Sequence, residues 1–159
     1  MNPDLNLDEE NLTFDSFFEG GNLDMVSRVR ENEFDLYMRV DSNTKGHHQW
    51  FYFEIRNRRR CTVKFNVVNF TKADSLYKQG MKLNVLSEKS MERRGTWGVD
   101  GWSKEGENIK YGPSKVINIS EYASPDKKYY SLSFEYTFPY DDDKTWIAYS
   151  IPYSFSKLL

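Results

Sequence analysis

Several stretches of this chain alternate apolar and polar residues with a period of two, a pattern that admits strands and does not suit an amphipathic helix. In "EFDLYMRVD", Phe34, Leu36, Met38 and Val40 share one side, and Asp35, Tyr37 and Arg39 share the other. This reads as a half-buried strand. The weaker alternation of "NLDMVSRV" precedes it across "RENE", which predicts a hairpin. "QWFYFEI" sets Phe51, Phe53 and Ile55 against Trp50, Tyr52 and Glu54. Both of its faces are mostly apolar, as in a strand covered on two sides. "NRRR" then turns the chain into "CTVKFNVVNF", with Val63, Phe65 and Val67 in register, predicting a second hairpin.

"TKADSLYKQG" fits one helical turn stopped by Gly80, and "MKLNVLS" reads as a strand. Glu88 to Lys115 carries five glycines with Trp97, Trp102 and Pro113, and reads as a long loop. "KVINISEY" is a short strand. "KYYSLSFEYTF" aligns Tyr130, Leu132, Phe134, Tyr136 and Phe138, and "PYDDDKT" turns it into the return strand "WIAYSIPY". Roughly eight strands separated by turns, with almost no helix, predict an all-β fold, an antiparallel β-sandwich with a long Gly/Trp-containing loop. The acidic residues 1–13 read as a flexible leader, and residues 14–159 as one domain.

Composition narrows the function. A formal net charge of −2 over 159 residues gives no field for holding nucleic acid or an anionic membrane. No run approaches a membrane span, and "MNPDLNLDEENLTF" lacks the basic and apolar regions of a signal peptide. Cys61 is the one cysteine, which excludes an intrachain disulfide and points to a reducing, cytoplasmic setting. There the N-x-S/T triplets at Asn11, Asn69 and Asn118 carry no meaning.

Candidate chemistry is sparse. Adjacent residues of a strand face opposite sides, so His47 and His48 are poorly placed to share a metal, and no H-x-x-E or H-E-x-x-H occurs. Cys61 follows Arg58, Arg59 and Arg60, whose charges favour a thiolate, but no histidine is placed to activate it; a small buried thiol is expected. Asp141, Asp142 and Asp143 lack the alternating spacing and glycine of a calcium loop and are expected to form a solvated turn. Gly95, Gly98 and Gly101 do not fit a phosphate loop. The basic runs "RNRRR" and "ERRG" suit an acidic peptide or a solubilising turn. Trp97 and Trp102, with neighbouring tyrosines, would serve a stand-alone module binding peptide or carbohydrate if exposed. No catalytic constellation emerges, and no cofactor is expected in this chain.

Five ordered segments carry a resemblance. "FDSFFEGGNL" (Phe14 to Leu23) resembles F-x-S-x-F-x-x-G-N-L, and "DSNTKGHHQWFYF" (Asp41 to Phe53) resembles D-x-N-x-x-x-x-x-Q-W-F-Y-F. "FNVVNFTKADSLYKQGMK" (Phe65 to Lys82) is similar to F-x-I-x-N-x-x-K-x-x-S-L-Y-x-x-G-M. "WSKEGENIKY" (Trp102 to Tyr111) resembles W-x-R-x-G-x-x-I-x-Y with Lys104 in the Arg position, and "IPYSFSKLL" (Ile151 to Leu159) resembles a P-Y-T-Y-S-x-L segment, with Ser154 and Phe155 in place of Thr and Tyr. Together they resemble the N-terminal domain of the cytosolic carboxypeptidases, zinc enzymes that trim C-terminal residues, notably glutamates from tubulin tails.

The resemblance implies a β-sandwich that packs in cis against a carboxypeptidase catalytic domain and helps fold it or orient acidic tails such as tubulin's. Zinc, its H-x-x-E and later His ligands, and the Glu base all belong to that catalytic domain, so no catalytic or metal residue carries over to this chain. Gln49, Trp50, Phe51, Tyr52 and Phe53 are expected as a structural signature strand. Arg58, Arg59, Arg60, Trp102, Lys104, Tyr111, Pro152 and Tyr153 are the candidate contacts to the catalytic domain or to acidic tails.

Overall fold

The computed structural model describes residues 11–39, 50–96, 98–115 and 128–152. They form ten strands in two five-stranded sheets. One sheet orders β1 (Leu12–Asp15), β4 (Tyr52–Asn57), β10 (Asp143–Ala148), β6 (Leu83–Ser87) and β7 (Ser103–Glu105). The other orders β2 (Leu23–Arg30), β3 (Glu33–Met38), β5 (Cys61–Phe70), β9 (Tyr130–Phe138) and β8 (Glu107–Pro113). The sandwich and the β2–β3 hairpin follow the alternation as expected.

The facing sides supply the core. Phe53, Ile55 and Ile147 from one sheet meet Leu36, Val67, Leu132 and Phe134 from the other, all fully buried. Phe65 is the hub: its ring lies 5.5–6.4 Å from those of Phe14, Phe34, Phe134 and Phe138. Burying a side chain of this size contributes roughly 1.5–3 kcal/mol, and tilted or edge-on rings add to it.

Two expected hairpins are absent. β4 pairs with β1 and β10, whereas β5 pairs with β3 and β9, so Arg58–Arg60 crosses between sheets instead of closing a hairpin. The turn before β10 does the same, because β9 and β10 lie in opposite sheets. Three residues reach about 10 Å, the separation of packed sheets, so so short a link serves either geometry. Alternation fixes which side chains face inward and says nothing of which strand is the neighbour. A further departure is that β3 and β5 run parallel, from Glu33↔Lys64 to Leu36↔Val67, in an otherwise antiparallel arrangement.

Strand β3 is buried on both faces rather than half-buried. Its outer side carries Asp35 and Tyr37, and a cross-strand row satisfies the carboxylate. Asn66 Nδ2 donates to Asp35 Oδ1 and Glu33 Oε2, both at 2.9 Å, Ser133 Oγ donates to Asn66 Oδ1 at 2.7 Å, and Lys115 Nζ stands 3.2 Å from Asp35 Oδ2. Burial and then the Asp35 charge push the Tyr37 phenol up, with Lys115 opposing.

The segment 88–115 holds a helix and two strands, not one long loop. Helix α1 (Glu88–Arg94) begins where Ser87 Oγ accepts from Ser90 N, has Glu88 in its first turn and Arg93 and Arg94 in its last, and stops at Gly95 in the left-handed conformation. A 3-10 turn, Gly98–Gly101, follows. A Cβ on Gly101 would stand 2.8 Å from the side chains of Leu86 and Met91, which would have to move to admit it. The 3-10 turn Leu76–Gln79 ends at Gly80 as expected. "KVINISEY" lies outside the described residues beyond Lys115.

Asn69 ends the parallel pairing. Its Oδ1 accepts from Met38 N at 2.9 Å and its Nδ2 donates to Met38 O at 2.8 Å, in a site where it is 2% exposed. Substituting Asn69→Ala orphans two buried backbone groups and is expected to destabilise the chain by about 2–4 kcal/mol, read as a lowered urea midpoint at unchanged m-value.

Candidate functional site

The sandwich has two unlike ends. One is formed by the turns 58–60 and 139–142 and is charged. At the other, the first residues of β4, the corner between β1 and β2, the turn Leu76–Gln79 and the segment leaving β10 come together.

The corner Ser16–Asn22 is built around close approach. Ser16 Oγ donates to Leu23 O at 2.7 Å, Phe18 packs edge-on against Tyr52 at 4.8 Å, and Gly21 N donates to Phe18 O at 3.0 Å. A Cβ on Gly21 would lie 2.3 Å from Ser16 O, which no side chain tolerates. Asn22 then engages both sheets. Its N–H donates to Tyr52 O at 3.1 Å, its Oδ1 accepts from Tyr52 N at 2.9 Å and its Nδ2 donates to Trp50 O at 2.9 Å, all on the chain entering β4. Its own carbonyl accepts from Arg39 N at 2.6 Å, just past β3 in the opposite sheet. Trp50 Nε1 completes the corner by donating to Gly20 O at 3.0 Å.

The exit segment lies beside these residues. Tyr149 N donates to Phe51 O at 3.0 Å, and Asn84 Nδ2 donates to Tyr149 O at 3.0 Å. Tyr77 from the 3-10 turn packs against Phe51 at 6.4 Å and Tyr149 at 5.6 Å. Burial pushes the Tyr77 phenol up strongly.

A second apolar cluster covers the outer side of the β4 sheet: Tyr52, Leu86, Met91, Trp102 and Ala148 are buried, with Phe18, Trp50, Trp146 and Ile151 half-buried at its rim. Trp102 is 9% exposed, with its ring 6.1 Å from Tyr52. It is a core residue here, not a stacking platform for sugar or peptide. Burial first, then Glu54, pushes the Tyr52 phenol up to about 12. Glu54 itself is paired with Lys144 at 3.6 Å.

The predicted contact residues therefore separate. Trp50, Phe51, Tyr52, Trp102 and the buried Pro152 belong to the exit end and its adjoining cluster. Tyr111 stacks on Tyr130, packs at a tilt against Phe70 and donates to Lys72 O at 2.5 Å, and Lys104 is exposed on β7 opposite Asn84. Phe53 is in the central core. Gln49, Trp97, Tyr153, His47 and His48 lie outside the described residues.

Arg58, Arg59 and Arg60 sit at the opposite end, with β4 between them and the exit. There they meet the chain's own polar groups. Arg58 N and Arg59 N donate to Asn11 O and Oδ1 at 2.9 and 2.8 Å, and Arg60 N and side chain both engage Asp141, at 2.8 and 3.6 Å. Asp142 N donates to Arg58 O at 3.1 Å. Two shallow grooves of about 390 and 320 Å³ at this end mix Arg56, Arg58, Arg59 and Lys144 with Glu88, Asp142 and Asp143, so neither offers a single sign of charge. Asp143 is not a solvated turn residue as expected. It is buried, accepting from Ser87 Oγ at 2.5 Å and Lys89 N at 3.0 Å, where it supports the start of α1. Cys61 is half-buried as a small thiol. Burial raises its pKa, against weaker lowering by the Asn11 hydrogen bond and Arg59.

Among the described residues no three of His, Cys, Asp or Glu stand close enough together to hold a metal ion. None of their helices is long and apolar enough to cross a membrane. Asn22 and Asn69, whose carboxamides each use both oxygen and nitrogen on backbone, sit inside the quoted motifs, and that placement was the available signal for them.

Comparison with known proteins accounts for the motifs. A family model described as the cytosolic carboxypeptidase N-terminal domain matches residues 14–150. Cytosolic carboxypeptidase 2 of Danio rerio is 37% identical over 154 residues, 96% of this chain and 20% of that protein. Cytosolic carboxypeptidase 1 of Homo sapiens is 35% identical over 162 residues, 99% of this chain and 13% of that protein. The chain thus spans a fifth or less of these relatives. Among solved structures, a metallo-carboxypeptidase from Burkholderia cenocepacia shares the fold at a TM-score of 0.54 and 18% identity, covering 92% of this chain and 31% of that one.

The Tyr52 phenol gives a pH signature. Its pKa is raised above the ordinary value of 10.0, so folding keeps its proton while the unfolded chain loses it. Its contribution is intact below about pH 10 and is lost as pH rises towards 12. Urea titrations across that range are expected to show stability falling, with Tyr52→Phe making the fall shallower and the buried Tyr77 and Tyr136 phenols keeping the remainder.

Proposed function

The chain belongs to the family of cytosolic carboxypeptidase N-terminal domains, and we propose that it serves as the noncatalytic accessory domain of a zinc metallocarboxypeptidase. In this reading residues 14–159 act as one domain. They pack in cis against the catalytic domain, help it fold, and work in the cytoplasm. The zinc belongs to that catalytic domain, which trims C-terminal glutamates from tubulin or other acidic tails.

One observation carries the reading. The motif residues Ser16, Gly21, Asn22, Trp50, Phe51, Tyr52, Ser75 and Tyr77 converge on the end from which the chain leaves β10. Their roles there are hydrogen bonding to backbone and ring packing. That is what is expected of residues that shape a junction with a following domain, and none is poised for chemistry of its own. The charge-compensated turn at Arg58–Arg60 is at the far end, so acidic tails are better served by the peptidase than by this turn.

The test is a chimera. In the Danio rerio relative, the matching segment is replaced by residues 14–159. The chimera is expected to release glutamate from glutamate-ending peptides in a chelator-sensitive manner, at least tenfold faster than the same protein with the segment deleted. The chain alone is expected to release none. Release by the isolated chain, or equal activity after deletion, contradicts the reading.

A further inference from the structure

Four large apolar side chains stand exposed among the described residues: Phe17, Met25, Val29 and Leu76. Met25 and Val29 lie on the edge strand β2 and are only 40% and 36% exposed. Phe17 and Leu76, at 99% and 56%, belong to the exit end. Each adjoins a ring that is tucked in: Phe18 lies against Tyr52, and Tyr77 against Phe51 and Tyr149. Phe17 is not on a loose loop. Its N–H donates to Asp15 Oδ1 at 2.8 Å, and Phe18 N donates to Ser16 O at 2.9 Å, within the corner that Gly21 and Asn22 fasten. A phenylalanine side chain left in water adds little to this fold, and covering it is favourable.

We infer that the exit end, with Phe17 and Leu76 as anchors and the half-buried Trp50 and Ile151 at the rim of the adjoining cluster, is the docking surface for the carboxypeptidase domain. This rests on the accessory-domain reading and adds the face that is used. The occupant follows from the path of the chain. Tyr149 is bonded to Phe51 and Pro152 is buried, so the last described residues of the chain lie at this end. The matched family model is that of an N-terminal domain, and the greater part of each longer relative is not covered by this chain. A tethered domain meets a nearby surface at high effective concentration, so a contact with few anchors stays occupied. The far end, with its compensated charges at Arg58–Arg60, and the edge strand β2 remain outside the contact.

Amide hydrogen exchange in the intact chimera, compared with the isolated chain, tests this. Segments 16–22 and 75–81 are expected to exchange at least tenfold more slowly in the chimera, while 24–30, 58–60 and 139–142 are unchanged. The pair Phe17→Asp and Leu76→Asp is expected to remove the difference while leaving the isolated chain's urea midpoint where it was. Protection of 24–30 or 58–60 instead overturns the assigned face and leaves the accessory reading standing. No added protection anywhere overturns both. Protection of 16–22 and 75–81 that rises with concentration in the isolated chain assigns the surface to a second copy and overturns the inference.

Discussion

Two stacked sheets share no backbone ladder, and because apolar packing is non-directional it leaves their ends the most freedom to shift. Asn22 removes that freedom at one end. Its backbone N–H and its whole carboxamide are spent on Trp50 and Tyr52, which lead into one sheet, while its carbonyl holds Arg39 at the end of a strand of the other. Everything at the exit end is referred to this tie. Phe51 is placed to pack with Tyr77 and receive the Tyr149 amide, and Tyr52 is placed to carry the outer cluster with Trp102 and Phe18. The glycine at position 21 is needed because the corner that delivers Asn22 folds back onto Ser16 O.

This arrangement explains why a recognisable signature accompanies so little chemistry. Tryptophan, tyrosine, serine and asparagine at a cleft would suggest a binding site. Here Trp50 bonds Gly20, Ser16 bonds Leu23, Asn69 bonds Met38 and Tyr111 bonds Lys72, each through a main-chain oxygen, with Asn69 also accepting the Met38 amide. Buried polar groups in a sandwich must find partners, and irregular corners between sheets supply many unpaired backbone groups. The motifs record that requirement. The charged end follows the same logic, since Asp141 and Asp142 meet the basic turn and Asp143 supports α1.

Much of the fold was legible in the residues. Alternation in Phe34–Met38, Val63–Val67 and Leu132–Phe138 gave the inward faces, and the 3-10 turn before Gly80 followed from its breaker. The sheet assignment of β5 and β10 was not legible, because a three- or four-residue polar turn serves a hairpin and a sheet-to-sheet crossing equally well. Helix α1 was legible in principle: Ser87, Glu88, Arg93, Arg94 and Gly95 are ordinary start and stop signals, masked by the glycine-rich context after them. Of the candidate site, the two-sided burial of the signature strand was legible in its apolar faces, whereas the burial of Trp102 was not. Whether a tryptophan faces water or Tyr52 depends on contacts made 50 residues away in the chain.

The central claim is that Asn22 ties the two sheets together at the end where the chain departs. Its most direct test is amide hydrogen exchange of Tyr52 and Arg39 in the isolated chain and in Asn22→Ala. The account predicts that both amides open only with the whole domain in the wild type. In the variant they should exchange about tenfold faster or more, relative to amides of the β5–β9 ladder such as Phe65. If Tyr52 and Arg39 keep pace with Phe65 in the variant, or already exchange by local opening in the wild type, the tie is not what holds this end.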